Sequence, residues 1–280
     1  MNRLKHYMIS LKKALELEVR EHRSSFAVYL ILRTLVILVL VRQIMMQNYE
    51  NIFVCLLTLL LLLVPSFVQL TFKVELPIFL EILILVFIYA AEILGEIDNY
   101  YFSIPYWDTI LHTINGFVCA AVGFSMVSLL NKSEKIQFFV SPLFLAIVSF
   151  TFSMTIGVLW EFFEFSMDQL FAMDTQKDTL ITSIHSAGVD EILPPFEEND
   201  IHEVTVNGEV ISDQGYIDIG LIDTMEDLFV NFVGATVFSL FSYFYARNKE
   251  RFTFLQNFIP KKKDRNKDYL HQQIKKGVGN

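Results

Sequence analysis

The sequence predicts an all-α, polytopic membrane bundle of six transmembrane helices with both termini cytoplasmic. Three observations predict it. The chain is 53% hydrophobic with 27 Phe, and its mean hydropathy is +0.44, more apolar surface than a soluble core of 280 residues needs. The apolar residues gather into runs of about 20, the length that crosses a hydrocarbon core roughly 30 Å thick. The cations are segregated along the chain, so the formal charge of −9 says less than where the charges fall.

Residues 1–25, "MNRLKHYMISLKKALELEVREHRSS", read as a cytoplasmic or interfacial amphipathic helix. The first apolar run begins near Phe26 and is long enough to remain as an anchor rather than a cleaved signal. The six helices are expected at 26–46, 51–72, 77–96, 108–130, 141–167 and 221–246, a membrane domain over 26–246. Pro77 and Pro142 fall in first turns, where a missing N–H costs little. Ser141 is the expected N-cap of the fifth helix, and Pro65 is expected to kink the second. Asp218 or Asp223 is expected to cap the sixth.

Lys and Arg set the orientation. The N-terminal segment, Lys73, Lys132, Lys135 and the basic tail 247–280 all fall on one side if the helices alternate. That side is cytoplasmic, and the tail's charge suits anionic lipid. Arg42 is the one misfit. The other side receives "EIDNYYFSIPYWD" and the acidic connector 169–219, whose one cation is Lys177. In that connector "EVTVNGEVI" predicts a small extracytoplasmic β-hairpin turning at Asn207-Gly208. Cys55 and Cys119 both lie in apolar runs, so neither a disulfide framework nor a thiolate metal site is indicated. Nothing in the composition points to nucleic acid; the partner the chain demands is the lipid bilayer.

The polar residues inside the helices converge on one end. At about 100° per residue, Glu161, Glu164 and Asp168 fall within about 60° of one another on the fifth helix. Glu92 and Glu96 share a face of the third helix, which Asn99 continues. Asp108, His112 and Asn115 share a face of the fourth, beside Gly116. Asp223, Asp227 and Asn231 share a face of the sixth, beside Gly234. With alternating helices all four clusters sit at the extracytoplasmic end, the deepest members within roughly 10 Å of the boundary. An ionisable residue at that depth costs several kcal/mol unless paired or wetted.

Two readings stand. Asp108, Asp168 and Asp223 lie where solvent can satisfy them, and Glu92, His112, Glu161, Asp227 and Asn231 could form an inward structural network. The functional reading is a polar pocket open to the outside. Trp107 and Trp160 then mark the outer aromatic belt, and Arg33 and Glu81 are structural. The pocket has acceptors and no fixed cation, so it could not hold an anionic, lipid-linked substrate by itself. A divalent metal at Asp108, His112, Glu161 and Asp227 would supply the missing charge, polarise a phosphoryl or acyl oxygen and activate water. Glu161, His112 and Asp227 are then the catalytic candidates, and Glu92, Glu96, Asp108, Glu164, Asp168, Asp223 and Asn231 the substrate- or cation-binding ones. The alternatives are a cation-binding transporter or accessory subunit, and a structural or partner-binding membrane protein.

The motifs "WDTILHTINGF", "GVLWEFFEFSMD" and "GLIDTMEDLFVNFVGA", in that order, resemble the YjdF-like family of bacterial inner-membrane proteins. The likeness covers roughly residues 50–246. The residues it matches are Glu92, Glu96, Asp108, His112, Glu161, Glu164, Asp168, Asp223, Asp227, Asn231 and Gly234. A looser likeness is to VanZ-like membrane proteins, through Asp108/His112, Glu161 and Asp227/Asn231/Gly234. The Arg that usually precedes their final motif has no counterpart in this connector. The resemblance implies a bacterial plasma membrane and an envelope role, and it supplies no reaction.

Overall fold

The computed structural model describes residues 23–72, 74–131, 140–188, 194–248 and 250–262. The amphipathic segment up to residue 22, Lys73, Lys132, Lys135 and the tail beyond 262 lie outside the described residues.

Among the described residues, six helices are long and apolar enough to cross a membrane: Arg23–Met46, Tyr49–Gln69, Ile78–Ile97, Trp107–Ser128, Pro142–Phe171 and Leu221–Arg247. These are the six expected from the sequence. The first is α1 (Arg23–Met46). The second is broken, as Pro65 requires, into α2 (Tyr49–Leu61) and α3 (Val64–Phe72). Proline has no N–H to return to the preceding turn, so Leu62 and Leu63 form the joint. Pro77 caps α4 (Ile78–Tyr89) rather than sitting inside it. Ser141 caps α7 (Pro142–Phe171), its hydroxyl accepting from the Phe144 N–H at 3.2 Å. That helix runs about a turn past the expected end at 167, so Asp168 lies within it. Of the two expected caps for α8 (Leu221–Arg247), Asp218 does the work: its Oδ2 accepts from the Ile222 N–H at 2.8 Å.

The third span departs from the expected pattern. After α4 the chain winds as a π-helix over Ala90–Ile97, closed by the Asp98 N–H donating to the Ile93 carbonyl five residues back. Single π-helical turns interrupt α-helices and often accompany functional sites. Asn99 then adopts a left-handed φ of 63° and begins the short α5 (Tyr100–Ser103). Asn99 therefore does not continue the Glu92/Glu96 face. The wider turn and the left-handed residue carry the chain off the helix axis.

The helices form two groups. α6 (Trp107–Asn131), α7 and α8 pack mutually around Val118, Ala120, Ala121, Phe124, Ala235 and Phe238. α1, α2 and the third span pack around Val36, Cys55, Leu62, Leu85, Ile88 and Ile93. Lipid tails are as apolar as leucine, so close packing rather than burial from water must hold such helices together. Glycines permit it. A Cβ at Gly116 would overlap the Asn231 carbonyl, and one at Gly234 would overlap the Thr113 carbonyl. The α6 and α8 backbones therefore touch directly, and Ser153 adds α7 by donating to the Gly116 carbonyl at 2.7 Å.

The described residues of the connector from α7 to α8 form three antiparallel strand pairs. β2 (Thr179–Ile181) pairs with β7 (Tyr216–Asp218), and β3 (Ile184–Ser186) with β4 (Phe196–Glu198). β5 (Val204–Val206) and β6 (Glu209–Ser212) make the expected hairpin. Asn207 (φ 54°) and Gly208 (φ 85°) take the positive angles that a type I′ turn needs.

At the opposite end, residues 250–262, expected as part of a basic tail, fold back on the bundle. A 3₁₀ turn (Thr253–Phe258) buries Leu255 and Phe258, and the Ser125 hydroxyl donates to the Phe258 carbonyl at 2.8 Å. β8 (Lys261–Lys262) then pairs with β1 (Val74–Glu75) beside the start of α4.

Candidate functional site: a carboxylate and imidazole cluster between three helices

Three helices bring their acidic faces together at one end of the bundle. His112, on α6, is the hinge of the cluster. Its Nε2 lies 3.4 Å from Oδ1 of Asp108, one turn earlier in the same helix, and 3.4 Å from Oδ2 of Asp227 on α8. Asp108, His112 and Asp227 each offer a ligand atom, all within 4.8 Å of one another. Glu161 and Glu164 of α7 form a second such set, again with Asp227. Asp227 and Glu161 are both only 4% exposed. The Thr224 side chain lies against Glu161 and accepts a hydrogen bond from Gln176 Nε2.

Glu161 Oε2 and Glu164 Oε2 are buried and meet no hydrogen-bond partner among the described residues. A buried charge without a partner costs far more than a buried pair. These oxygens can be satisfied by protons or by a bound cation. The donor set, carboxylates with one imidazole, fits a divalent ion such as Mn²⁺, Mg²⁺ or Zn²⁺.

Asn231 lies about one helical turn beyond Asp227 on α8 and is 1% exposed. Its Oδ1 accepts from Asn115 Nδ2 at 3.4 Å, and its Nδ2 points at the Met154 sulfur at 3.6 Å. A Cβ at Gly157 would come within 2.7 Å of that Nδ2. Asn231 thus ties α6, α7 and α8 together beneath the carboxylates.

The remaining candidates hold the connector. Asp168 Oδ1 accepts from the Thr175 N–H (2.7 Å) and hydroxyl (2.6 Å), and its Oδ2 from the Gln176 N–H (2.8 Å). Solvent is therefore not what satisfies Asp168. Asp223 Oδ2 accepts from the Lys177 N–H at 2.9 Å. Glu96 Oε2 pairs with Lys177 Nζ at 3.1 Å. The same ammonium donates to the Asp174 carbonyl and lies 5.7 Å and 5.8 Å from the ring centres of Tyr101 and Phe102.

Lys177 corrects one expectation. The polar end does have a fixed cation, delivered from the connector to the third span. Its signal in the sequence was its isolation between Gln137 and Ala246. Tyr101 gave no such signal. Its ring lies where a Cβ at Gly95 would stand. Burial, and then the charges of Glu96, Asp108, Glu92 and Glu164, push its hydroxyl well above the usual tyrosine range. Tyr101 therefore sits between the Glu92/Glu96 pair and the cluster on α6 and α7. Glu92 itself is 6% exposed and stands on the third span, outside both ligand sets.

Six apolar helices with polar groups gathered at one end define a multi-pass integral membrane protein. The chain belongs to a family of predicted membrane proteins (DUF2238), whose family model matches residues 27–248. This is the YjdF-like family that the three motifs resemble. No curated protein and no solved structure matches the chain.

Proposed function

We propose that the chain is a plasma-membrane protein that binds a divalent cation at Asp108, His112, Glu161 and Asp227, near the extracytoplasmic face, and uses it on a cell-envelope or lipid-linked substrate. The observation that carries this reading is the convergence of two ligand sets on Asp227, with buried Glu161 and Glu164 oxygens left without partners. The positive-inside rule supports the orientation. By alternation of the helices along the sequence, Lys73, Lys132 and Lys135 share the side of Arg247, Lys261 and Lys262, and the connectors assigned to the cluster's side carry only Lys177.

A cation held there would supply polarisation of a phosphoryl or acyl oxygen and a lowered pKa for a bound water. The chain's own groups do the rest. Asp108, His112 and Asp227 would hold the ion from α6 and α8, and Glu161 or Glu164 would take a proton from the attacking water. Glu92, Glu96, Asp168, Asp223 and Asn231 position these groups or the connector above them. Asp168 and Asp223, whose oxygens bind Thr175, Gln176 and Lys177, act on the connector rather than on a ligand.

A cation carrier is the second reading, favoured by carboxylates at membrane depth. It needs a polar path through the other half of the bundle. The buried polar side chains described there on α6–α8 are Ser125, Ser149, Ser239 and Ser242, and three of these donate to backbone carbonyls.

Equilibrium dialysis of the purified protein against Mn²⁺ and Zn²⁺ tests the site. Wild type should retain metal, and Glu161→Gln and His112→Ala should lose it at unchanged membrane abundance. A wild-type protein that retains none overturns the reading. Labelling an Asn207→Cys variant in intact cells with an impermeant maleimide tests the orientation; protection of that thiol overturns it.

A further inference from the structure

We infer that this site takes two divalent cations, bridged by the carboxylate of Asp227; the inference rests on the cation reading above and goes one ion further. The first set, Asp108, His112 and Asp227, draws on α6 and α8. The second, Glu161, Glu164 and Asp227, draws on α7 and α8. The two sets share only Asp227. A carboxylate has two oxygens, and two-metal sites separate their ions by about 3.5–4 Å, a distance one carboxylate spans.

One ion does not satisfy the cluster. The groups of the first set already face each other, with His112 3.4 Å from both carboxylates. The orphaned oxygens are in the second set: Oε2 of Glu161, on a residue 4% exposed, and Oε2 of Glu164. A single ion at Asp108, His112, Glu161 and Asp227 still leaves Oε2 of Glu164 without a partner among the described residues. An ion held by Glu161 and Glu164 leaves the imidazole unused.

Charge gives the same count. Asp108, Glu161, Glu164 and Asp227 carry four negative charges when ionised, and two dications balance four. One dication leaves two carboxylates' worth of charge in a buried site. The fixed cation nearby, Lys177, is engaged by Glu96. The two positions also differ in chemistry. The set with imidazole accepts Mn²⁺ or Zn²⁺, and the all-carboxylate set accepts Mg²⁺ or Mn²⁺. Mn²⁺ suits both and reports on itself magnetically.

The experiment is Mn²⁺ binding to the purified full-length protein in detergent, followed by equilibrium dialysis and by electron paramagnetic resonance. Two Mn²⁺ per chain with a spin-coupled spectrum is the expected result. Glu164→Gln should bind one Mn²⁺ and give an uncoupled spectrum, while eluting and melting as wild type does without metal. Two ions with an uncoupled spectrum overturn the Asp227 bridge. A single uncoupled ion in wild type overturns the pair and leaves the one-ion reading standing. No bound ion overturns both. The wild-type measurement decides the matter even if the variant fails to fold.

Discussion

His112 and Asp227, 115 positions apart in the chain, stand 3.4 Å from each other across the junction of α6 and α8. That contact joins the acidic face of α6 to that of α8. If it holds a cation, protons compete with the ion at Asp108, His112 and Asp227. Metal affinity should therefore fall as the pH is lowered. His112→Ala should weaken Mn²⁺ binding by at least the roughly 10–100-fold seen when supporting groups are removed. Calorimetric titration at two pH values checks both; an affinity indifferent to pH and to the imidazole speaks for a purely structural network.

Thr224 should matter without being a ligand. It lies against Glu161 and accepts from Gln176. Thr224→Val should cost about 10–100-fold in metal affinity, and Thr224→Ser should restore it. The same titration reads this. Restoration by Val as well as by Ser would show that only the volume of the side chain counts.

Gly234 sets how closely α6 and α8 approach. A methyl group there must push aside the Thr113 carbonyl, which is backbone and cannot rotate away. Gly234→Ala should destabilise the protein by about 1–3 kcal/mol. Its melting temperature in detergent should fall, and unchanged melting would mean the backbones are not in contact.

Asp168 anchors the connector with both oxygens. Asp168→Ala leaves the Thr175 and Gln176 N–H groups without their acceptor, while the Thr175 hydroxyl keeps the Glu164 carbonyl. The expected cost is about 1–3 kcal/mol, felt locally. Limited proteolysis should cut the variant faster near residues 172–180, and equal cleavage of wild type and variant would count against the anchor.

Leu255 is fully buried against the bundle. Leu255→Ala should cost about 2–5 kcal/mol, as deletions of packed leucine do. A chain ending at Arg247 should melt lower still. If both melt as wild type does, residues 250–262 are not part of the packed core.

Much of this is legible in the amino-acid sequence. The six helices announce themselves by length and apolarity. Pro65, Ser141 with Pro142, and Asn207-Gly208 each act on their immediate neighbours, so a local reading finds them. The facing of Asp108, His112, Asp223 and Asp227 follows from four-residue spacing on regular helices. The π-helix at Ala90–Ile97 escapes because one wider turn needs no special residue. Strands β2, β3, β4 and β7, of three residues each, are too short to alternate visibly. Lys177 with Glu96, and Leu255 in the core, are long-range pairings that spacing along one helix cannot reveal.

The grip on residues 174–177 has a consequence for how the protein is made. Glu96 on the third span, Asp168 on the fifth and Asp223 on the sixth each bind this one short segment. Glu96 must wait for a lysine 81 positions later in the chain. At about 5–20 residues per second of synthesis, that is a delay of roughly 4–16 s. During that interval the third span is in place with its carboxylate unmatched. Asp223, which also binds Lys177, follows 46 positions later, roughly 2–9 s at the same rate, so the segment is gripped from the third span before the last span closes on it.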